Sequence, residues 1–267
     1  MILAKVATKK YKGHMLSVSV LMYHHVLQKS GFITSSIEEF RAQMNFLASN
    51  GYKTLSSAEF FKFKKGELKL PKKSVFITFD DGWKDNFIYA YPIIKEFGLR
   101  ATIFLTTQWV EKASQKLGNF IECNHDEYKK LAPKMPENVF LNYNEIEKMR
   151  ENFDFHSHTH THFNDYFGEI SLNENISLCK KFMKDKFGID DNMLCWPKGV
   201  YNDEYIKVAK QNGYEMLFTT KRGINKADNK LDEIKRIAVK KDDRWLKKTL
   251  FIYQSDILGS VYSWIKR

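Results

Sequence analysis

An α/β fold is predicted from three features of the 267-residue chain. Short apolar segments rich in β-branched and aromatic residues alternate with segments of helical periodicity. No proline- or glycine-rich linker interrupts this alternation. Two carboxylates directly follow the most apolar of the predicted strands, which is where α/β folds place their chemistry. Together these features predict an α/β sheet or barrel with its site at the strand ends.

Strands are predicted where β-branched and aromatic residues run together. Residues 75–79, VFITF, are apolar on both alternating faces and therefore indicate a buried strand, which Gly82 ends. The same composition predicts strands at Ser17–Tyr23, 101–106 and 216–219.

Helices are predicted where apolar residues recur on one face and a glycine follows the last turn. In segment 36–50, Ser36 is the predicted N-cap, and Phe40, Met44 and Leu47 share one face. Further helices are predicted at 84–97, 171–187 and 203–212, which end before Gly98, Gly188 and Gly213.

A single domain is predicted over residues 1–267, with its core at about 17–240. Hydrophobic residues form 43% of the chain, which suffices for one large core. The least regular stretch, 111–142, is predicted to be an inserted lid. The basic and aromatic tail, 244–267, is predicted either to dock on the core as a helix or to lie on an anionic membrane surface.

The net charge of +11 favours anionic partners. The basic residues are spread along the chain and no nucleic-acid motif occurs, so nucleic acid is not expected as a partner. The first residues lack the apolar core and cleavage site of a secretory signal. Three widely spaced cysteines argue against a disulfide framework. A cytoplasmic location is therefore expected, with peripheral contact at the inner face of the membrane as a further expectation.

Asp80 and Asp81 stand at the carboxyl end of the strand at 75–79. Consecutive strand residues point to opposite sides, so one carboxylate can bind a metal while the other accepts a proton. The alternative is an ordinary strand-to-helix turn in which one aspartate caps the helix.

Four of the eight histidines alternate in the segment HSHTHTH at 156–162. Two pairs are four residues apart, His156/His160 and His158/His162, and such spacing lets two imidazoles converge on one ion. Spacing alone does not choose between the pairs. Two imidazoles and a carboxylate predict a hydrolytic metal site with coordination left open for water.

With these motifs in place, the chain resembles the polysaccharide deacetylases of the NodB-homology type, carbohydrate esterase family 4. The resemblance runs from about residue 17 to 239. It rests on TFDDG at 78–82, SHTHTH at 157–162 and WPKGVYND at 196–203, and LMYHHV at 21–26 resembles a permuted subgroup with a Tyr-His motif on its first strand. The resemblance implies a distorted (β/α) barrel with its metal site at the C-terminal mouth of the strands.

The resemblance also implies roles. Asp81, His158 and His162 would hold a divalent metal, most simply Zn²⁺, with Co²⁺ or Ni²⁺ as alternatives. Asp80 would be the catalytic base. His24 would be the general acid, although its neighbour His25 is easily confused with it.

Further residues are assigned from the same motifs. The turn of Pro197, Lys198 and Gly199 would stabilise the oxyanion through a backbone N–H near Lys198. Trp83 is predicted either to stack on a sugar ring or simply to pack within the fold. His156 and His160 are predicted to support the site or to be exposed.

Two departures from the family pattern stand out. Cys195 occupies the position of an arginine that usually orients the base, and Arg236 is the predicted replacement for its charge. The late motifs of the family, an Asp-Trp pair and a Leu-x-x-His, are not recognisable after residue 203.

The expected activity is metal-dependent hydrolysis of the N-acetyl, or another N-acyl, group of an amino sugar during the biosynthesis of a surface polysaccharide. A basic cytoplasmic enzyme suits a nucleotide-linked or lipid-linked sugar. The alternatives are a carbohydrate-binding homologue that has lost turnover, and a deformylase or O-acetyl esterase acting on a lipid-linked sugar.

Overall fold

The computed structural model describes residues 17–162, 170–255 and 258–259. These residues form a curled, mostly parallel sheet flanked by helices. The strands are β1 (Ser17–Tyr23), β2 (His25–Leu27), β3 (Thr34–Ser36), β4 (Lys53–Thr54), β5 (Ser74–Phe79), β6 (Ala101–Leu105), β7 (Phe153–Ser157), β8 (Met193–Cys195), β9 (Met216–Phe218), β10 (Asn225–Lys226) and β11 (Ile237–Ala238).

Helices connect most of these strands. They are α1 (Ile37–Ser49), α2 (Ser57–Lys64), α3 (Tyr91–Glu96), α4 (Thr107–Ala113), α5 (His125–Leu131), α6 (Pro136–Val139), α7 (Tyr143–Met149), α8 (Leu172–Phe187), α9 (Asp203–Gln211) and α10 (Asp243–Tyr253), with a π-helical turn at Asn86–Ala90 and a 3₁₀ turn at Pro197–Gly199. Within the described ranges, none of these helices combines the length and the apolar character that crossing a membrane requires.

The main sheet has the strand order β10-β1-β5-β6-β7-β8-β9, and β11 and β4 add to β1 and β5. Every pair in it is parallel except β1 with β10. Because parallel strands end at the same edge of a sheet, the residues that follow β1, β5, β7 and β8 gather at one mouth. The predicted α/β barrel class is confirmed.

Alternating residues of the strands bury both faces of the sheet. On one face, Ile77 and Phe79 of β5 join a cluster with Phe40 and Met44 of α1. On the other face, Phe76 packs with the aromatic rings of Phe60, Phe104 and Phe218. This double burial explains why Val75, Phe76 and Ile77 form an unbroken apolar run between Ser74 and Thr78.

Three of the four predicted helices agree closely with the structure. Ser36 caps α1 through a complete capping box with Glu39, and Ser171 caps α8. The helix predicted at 84–97 begins later than expected, with the π-helical turn, and the Lys84 amide before it donates to Val139 O at 2.7 Å, which ties this turn to a distant part of the chain. Pro92 then opens α3, where its missing N–H is tolerated.

The segment predicted as a lid, 111–142, contains α5 and α6. Its Tyr128 and Phe140 are buried against Trp83 and Trp109. This packing holds the segment beside the C-terminal ends of the strands. Its movement as a lid stays a prediction.

The first part of the predicted tail forms α10. Leu246, Leu250 and Tyr253 bury its inner side, and Ser17 at the start of β1 donates a hydrogen bond to Tyr253 O. This part is therefore docked on the core as a helix. Residues 256–257 and 260–267 of the predicted tail, and residues 1–16, lie outside the described residues.

Candidate active site

Asp81, His158 and His162 converge at the mouth of the sheet. The Nε2 atoms of His158 and His162 each lie 3.3 Å from Asp81 Oδ1. All three residues are buried, and their ligand atoms lie within 4.8 Å of one another. Of the two histidine pairs that the spacing left open, this arrangement contains His158 and His162.

Hydrogen bonds with neighbouring groups orient these side chains toward a position that suits a cation. Trp83 Nε1–H donates to Asp81 Oδ2 at 2.7 Å, while Oδ1 is buried and accepts no hydrogen bond. His158 Nδ1 lies 2.8 Å from the carbonyl oxygen of Cys195, so Nδ1 is the protonated nitrogen and Nε2 presents its lone pair to the site. Two imidazoles and one carboxylate with an orphaned oxygen fit a divalent metal of the zinc type.

The electrostatics of Asp81 agree with this fit. Burial acts to raise the pKa of its carboxyl group, but the imidazoles of His158 and His162 outweigh burial and hold the pKa well below its usual range. The carboxylate is therefore anionic and ready to ligate at neutral pH.

Three residues at the site have backbone conformations that non-glycine residues rarely adopt. The φ angle is +75° at Asp81, +66° at Thr159 and +58° at His162. Such conformations cost about 1–3 kcal/mol each and persist only where surrounding contacts enforce them. The turn after the histidine strand is therefore held in a strained shape that aims both imidazoles at Asp81.

Two buried residues enforce that shape. Asn175 Oδ1, on α8, accepts the backbone N–H groups of His160 and Thr161, at 2.6 and 3.3 Å. Asp191 accepts hydrogen bonds from His156 Nδ1 and from the Ser157 hydroxyl, immediately before His158. Sequence reasoning missed both residues, because nothing local marks a lone Asn or Asp as a partner of a distant loop.

His156 and His160 do not face the candidate metal position. His156 bonds Asp191, and His160 Nδ1 lies 2.8 Å from the Thr107 hydroxyl. Both are less than a tenth exposed. Of the two alternatives predicted for them, support of the site holds and exposure is wrong, because both rings anchor the loop to the core.

Asp80 forms a buried ion pair with Arg236. The guanidinium group donates from Nη1 to Oδ1 at 2.6 Å and from Nη2 to Oδ2 at 2.7 Å, and its Nε–H donates to Thr219 O. Burial acts to raise the pKa of Asp80, but Arg236 outweighs it and lowers the pKa below its ordinary value. The predicted replacement of the missing arginine by Arg236 agrees with this geometry.

Cys195 does not replace the charge itself. Its Sγ lies 3.7 Å from Asp80 Oδ1, and burial raises the pKa of the thiol well above its usual value. The thiol is therefore neutral and a weak donor. The permanent positive charge beside Asp80 comes from Arg236.

His24 directly follows β1 and lies beside Asp80. Its Nε2 is 3.7 Å from Asp80 Oδ2, and its side chain is 17% exposed. Burial lowers the pKa of His24, although Asp80 and Asp81 act to raise it. His25 points away: it is fully buried, with Nδ1 2.7 Å from Asp85 Oδ2. Strand alternation thus resolves the ambiguity between the two histidines in favour of His24 at the site.

Trp83 does not lie where a sugar could reach its face. Its side chain is 1% exposed, and its ring stacks on Phe140 with centroids 4.3 Å apart and contacts His25. The prediction that Trp83 stacks on a sugar is wrong. The tryptophan packs because the 111–142 segment covers it, and its indole N–H orients Asp81.

The turn at Pro197–Gly199 follows β8 at the same mouth. Pro197 is buried, Lys198 is exposed and has φ +55°, and a Cβ on Gly199 would meet Thr220 Oγ1 at 2.1 Å. Gly199 is therefore required for the close approach to Thr220. The oxyanion role predicted for Lys198 stays a prediction.

We expect Asn175→Ala to weaken metal binding without unfolding the protein. Loss of the amide frees the backbone of residues 160–161, and loss of an outer-shell partner typically reduces metal affinity by ~10–100-fold. Calorimetric titration of the metal-stripped protein with Zn²⁺ measures the change. Asn173→Ala, at an exposed position near the start of the same helix, is the matched control. Equal zinc affinity in wild type and Asn175→Ala would contradict the prediction.

Comparisons with known proteins show which sequences and folds this chain resembles. Residues 67–217 match the family model for polysaccharide deacetylase. The poly-β-1,6-N-acetyl-D-glucosamine N-deacetylase of Staphylococcus epidermidis is 29% identical over 263 residues, which span 88% of this chain and 83% of the relative.

Solved structures share the fold. A Streptococcus pyogenes deacetylase in complex with acetate has a TM-score of 0.73 at 22% identity, covering 88% of this chain and 99% of that one. IcaB from Ammonifex degensii has a TM-score of 0.70 at 20% identity, covering 91% and 99%.

Proposed function

Because the chain belongs to the polysaccharide deacetylase family, we propose that it is a metal-dependent hydrolase that removes the N-acetyl group from an amino sugar in a surface glycan or its precursor. The observation that carries the proposal is that two adjacent carboxylates at one site have different partners. Asp81 Oδ1 faces two imidazole Nε2 atoms, and Asp80 is held by Arg236 beside His24. A protein that only binds sugar needs neither arrangement.

Asp81, His158 and His162 would hold the metal. A divalent ion there supplies a Lewis acid that polarises the acetamide carbonyl and makes water a better nucleophile at neutral pH. The donor set is the one that Zn²⁺ accepts in hydrolytic sites, and Co²⁺ or Ni²⁺ are alternatives.

Asp80 is the proposed general base. Arg236 fixes both of its oxygens, so its orientation does not depend on the substrate. The paired guanidinium also makes Asp80 a weak base, which suits a water whose acidity is already raised. As the water oxygen bonds to the carbonyl carbon, Asp80 accepts one of its protons.

His24 is the proposed general acid. When the C–N bond breaks, the amino sugar nitrogen needs a proton to leave as an amine, and acetate is the other product. His24 Nε2 lies 3.7 Å from Asp80 Oδ2, so the proton that Asp80 accepts would pass through His24 to the leaving nitrogen once the two groups close to hydrogen-bond distance. The backbone N–H of Lys198 is the proposed additional donor to the developing oxyanion.

We expect His24→Ala to bind metal normally and to lose ~10²–10³-fold in turnover of an N-acetyl substrate, because general acid catalysis contributes an effect of that size. An aryl acetate such as 4-methylumbelliferyl acetate releases a phenolate that leaves without a proton. Its hydrolysis by His24→Ala should fall less than tenfold. Equal losses on the amide and the aryl ester would remove His24 from the role of acid.

The relatives support N-acetylglucosamine as the sugar. Several curated relatives, including the one in S. epidermidis, carry the name poly-β-1,6-N-acetyl-D-glucosamine N-deacetylase. We therefore propose a glucosamine-type N-acyl sugar as the reacting unit.

The test is the release of acetate or formate from a panel of N-acetylated and N-formylated glucosamine derivatives, including β-1,6-linked oligomers. Each is assayed with metal-stripped protein and after addition of Zn²⁺, Co²⁺ or Ni²⁺. We expect release of acetate only after metal is restored. Release of formate alone would make the protein a deformylase, and tight 1:1 metal binding without any release would contradict the enzymatic proposal.

A further inference from the structure

A pocket of about 610 Å³ opens directly beside His24. Its size is that of a ligand site for a molecule of one or two sugar units. The end of β1 forms its floor, the turn at 30–35 forms one wall, and residues 238–241 form the other. The proposed deacetylation step uses neither the turn at 30–35 nor residues 238–241.

The sheet itself brings these walls to the catalytic mouth. β11 pairs in parallel with β1, and the Val239 amide donates to Met22 O at 3.1 Å. Because the strands run in parallel, the residues after β11, Lys240 and Lys241, emerge at the same edge as His24. The short stretch that carries Arg236 to Asp80 therefore also carries two lysines to the pocket.

Contacts with a buried side chain fix the backbone at Lys241. Its φ angle is +62°, and its carbonyl oxygen accepts a hydrogen bond from Gln43 Nε2. Gln43 is fully buried and also accepts the hydroxyl hydrogen of Tyr23. A buried polar network thus fixes the lysine-bearing wall to the strand that ends at His24.

The charge on this wall is not neutralised. Lys240 and Lys241 are exposed, and neither forms an ion pair in the part of the chain that the structure describes. Glu39 also lines the pocket, but its carboxylate accepts the backbone N–H of Ser36 as part of a capping box. The pocket therefore offers two free ammonium groups and one carboxylate that is already engaged.

The wall formed by the turn at 30–35 has an apolar surface. Phe32 is 76% exposed and stands at the tip of a tight turn closed by two hydrogen bonds between Gly31 and Thr34. An exposed aromatic ring of this kind can pack against the C–H face of a sugar ring. An aromatic ring and two ammonium groups lining one pocket match a sugar that carries an anion.

From this arrangement we propose that the pocket is a substrate subsite for a phosphate group attached to the N-acyl amino sugar, with Lys240 and Lys241 as its anion-binding residues. The inference rests on the proposed deacetylase function and adds the substrate class. Phosphate is recognised by lysine as a point charge. The anomeric phosphate of a nucleotide-linked sugar and that of a lipid-linked sugar share this chemistry.

The test compares N-acetylglucosamine 1-phosphate with methyl N-acetylglucosaminide as substrates of the metal-loaded enzyme. We expect kcat/KM of the wild type to be at least tenfold higher for the phosphorylated sugar. In Lys240→Gln/Lys241→Gln this preference should vanish through a higher KM, while kcat/KM for the neutral sugar changes less than twofold. The preference of the wild type should also decline as salt is added.

A matched control removes two other consecutive lysines. Lys247→Gln/Lys248→Gln changes the net charge equally, in a separate groove on α10, and should leave the preference intact. Glutamine keeps the length of the side chain and adds no strain at position 241 that lysine lacks. Phe32→Ala should raise KM for both sugars together.

Two further substrates separate the sources of the phosphate. UDP-N-acetylglucosamine represents the nucleotide carrier, and farnesyl-diphosphate-linked N-acetylglucosamine represents the lipid carrier. The carrier whose phosphate the pocket recognises is the carrier whose substrate loses at least tenfold in kcat/KM in Lys240→Gln/Lys241→Gln.

Two results would overturn the subsite, namely no preference for phosphorylated sugar in the wild type, or a preference that survives the double substitution. Turnover of a neutral β-1,6-linked oligomer with either result would leave the deacetylase proposal standing. Calorimetric titration with glucosamine 1-phosphate and with glucosamine gives a readout that does not need turnover. If no sugar is deacylated, equal binding of the two ligands would overturn the subsite as well.

Discussion

Asp80→Asn is expected to reduce N-acetyl hydrolysis by ~10³-fold, because it removes the proposed general base and general base catalysis contributes about that much. It is also expected to destabilise the protein, because the buried guanidinium group of Arg236 loses its counter-charge. Breaking a buried ion pair typically costs about 3–5 kcal/mol. Acetate release and urea unfolding measure the two effects separately.

A second variant distinguishes lost chemistry from lost stability. Asp80→Asn/Arg236→Met removes both charges and leaves a side chain of similar volume, so much of the stability should return. Turnover should stay as low as in Asp80→Asn. Recovery of turnover together with stability would mean that Asp80 acts only through the fold. Zn²⁺ should bind 1:1 to both variants, because neither change touches Asp81, His158 or His162.

His158→Ala and His162→Ala are expected to lose both the metal and the activity. Each removes one of three protein donors, so the zinc affinity should fall by more than the ~100-fold upper range for an outer-shell partner. Acetate release should become undetectable at zinc concentrations that saturate the wild type. Calorimetry on metal-stripped protein and metal analysis after dialysis measure the loss.

The alternating motif supplies its own controls. His156→Ala and His160→Ala remove imidazoles from the same segment, and these imidazoles bond Asp191 and Thr107. Both variants should be less stable by about 1–3 kcal/mol, since each leaves a buried polar partner without its hydrogen bond. Both should still bind one zinc ion. Loss of zinc from these two variants, with retention in His158→Ala and His162→Ala, would reverse the assignment.

Features set by neighbouring residues were predictable from the chain. The apolar run at 75–79 identified the buried strand that ends just before Asp80, and Ser36 marked the start of α1. The spacing in HSHTHTH limited the histidine ligands to two pairs. The resemblance to the family chose the pair His158/His162, and the structure brings that pair to Asp81.

Predictions failed where a distant segment decided the outcome. Trp83 stands in the turn after the aspartate pair, where a sugar-facing side chain was one expectation, yet Phe140 covers it from 57 residues away in the chain. In the segment predicted as a helix from residue 84, the Lys84 amide bonds Val139 O, a π-helical turn follows, and α3 begins only at Tyr91. Asn175 and Asp191, which hold the histidine loop, carry no local signal at all.

The sequence by itself determined the α/β class, the carboxylates at a strand end and the two possible histidine pairs, because strand and helix periodicity are local properties of the chain. The resemblance to the family named Arg236 and His24. Only the tertiary structure shows that the Arg236 guanidinium binds both oxygens of Asp80 across 156 residues, that His25 is buried while His24 lies beside Asp80, and that Lys240 and Lys241 border the pocket there. These outcomes depend on which strands are neighbours and on where each strand ends. Strand order is set by the packing of the whole sheet, and no short segment of the chain contains that information.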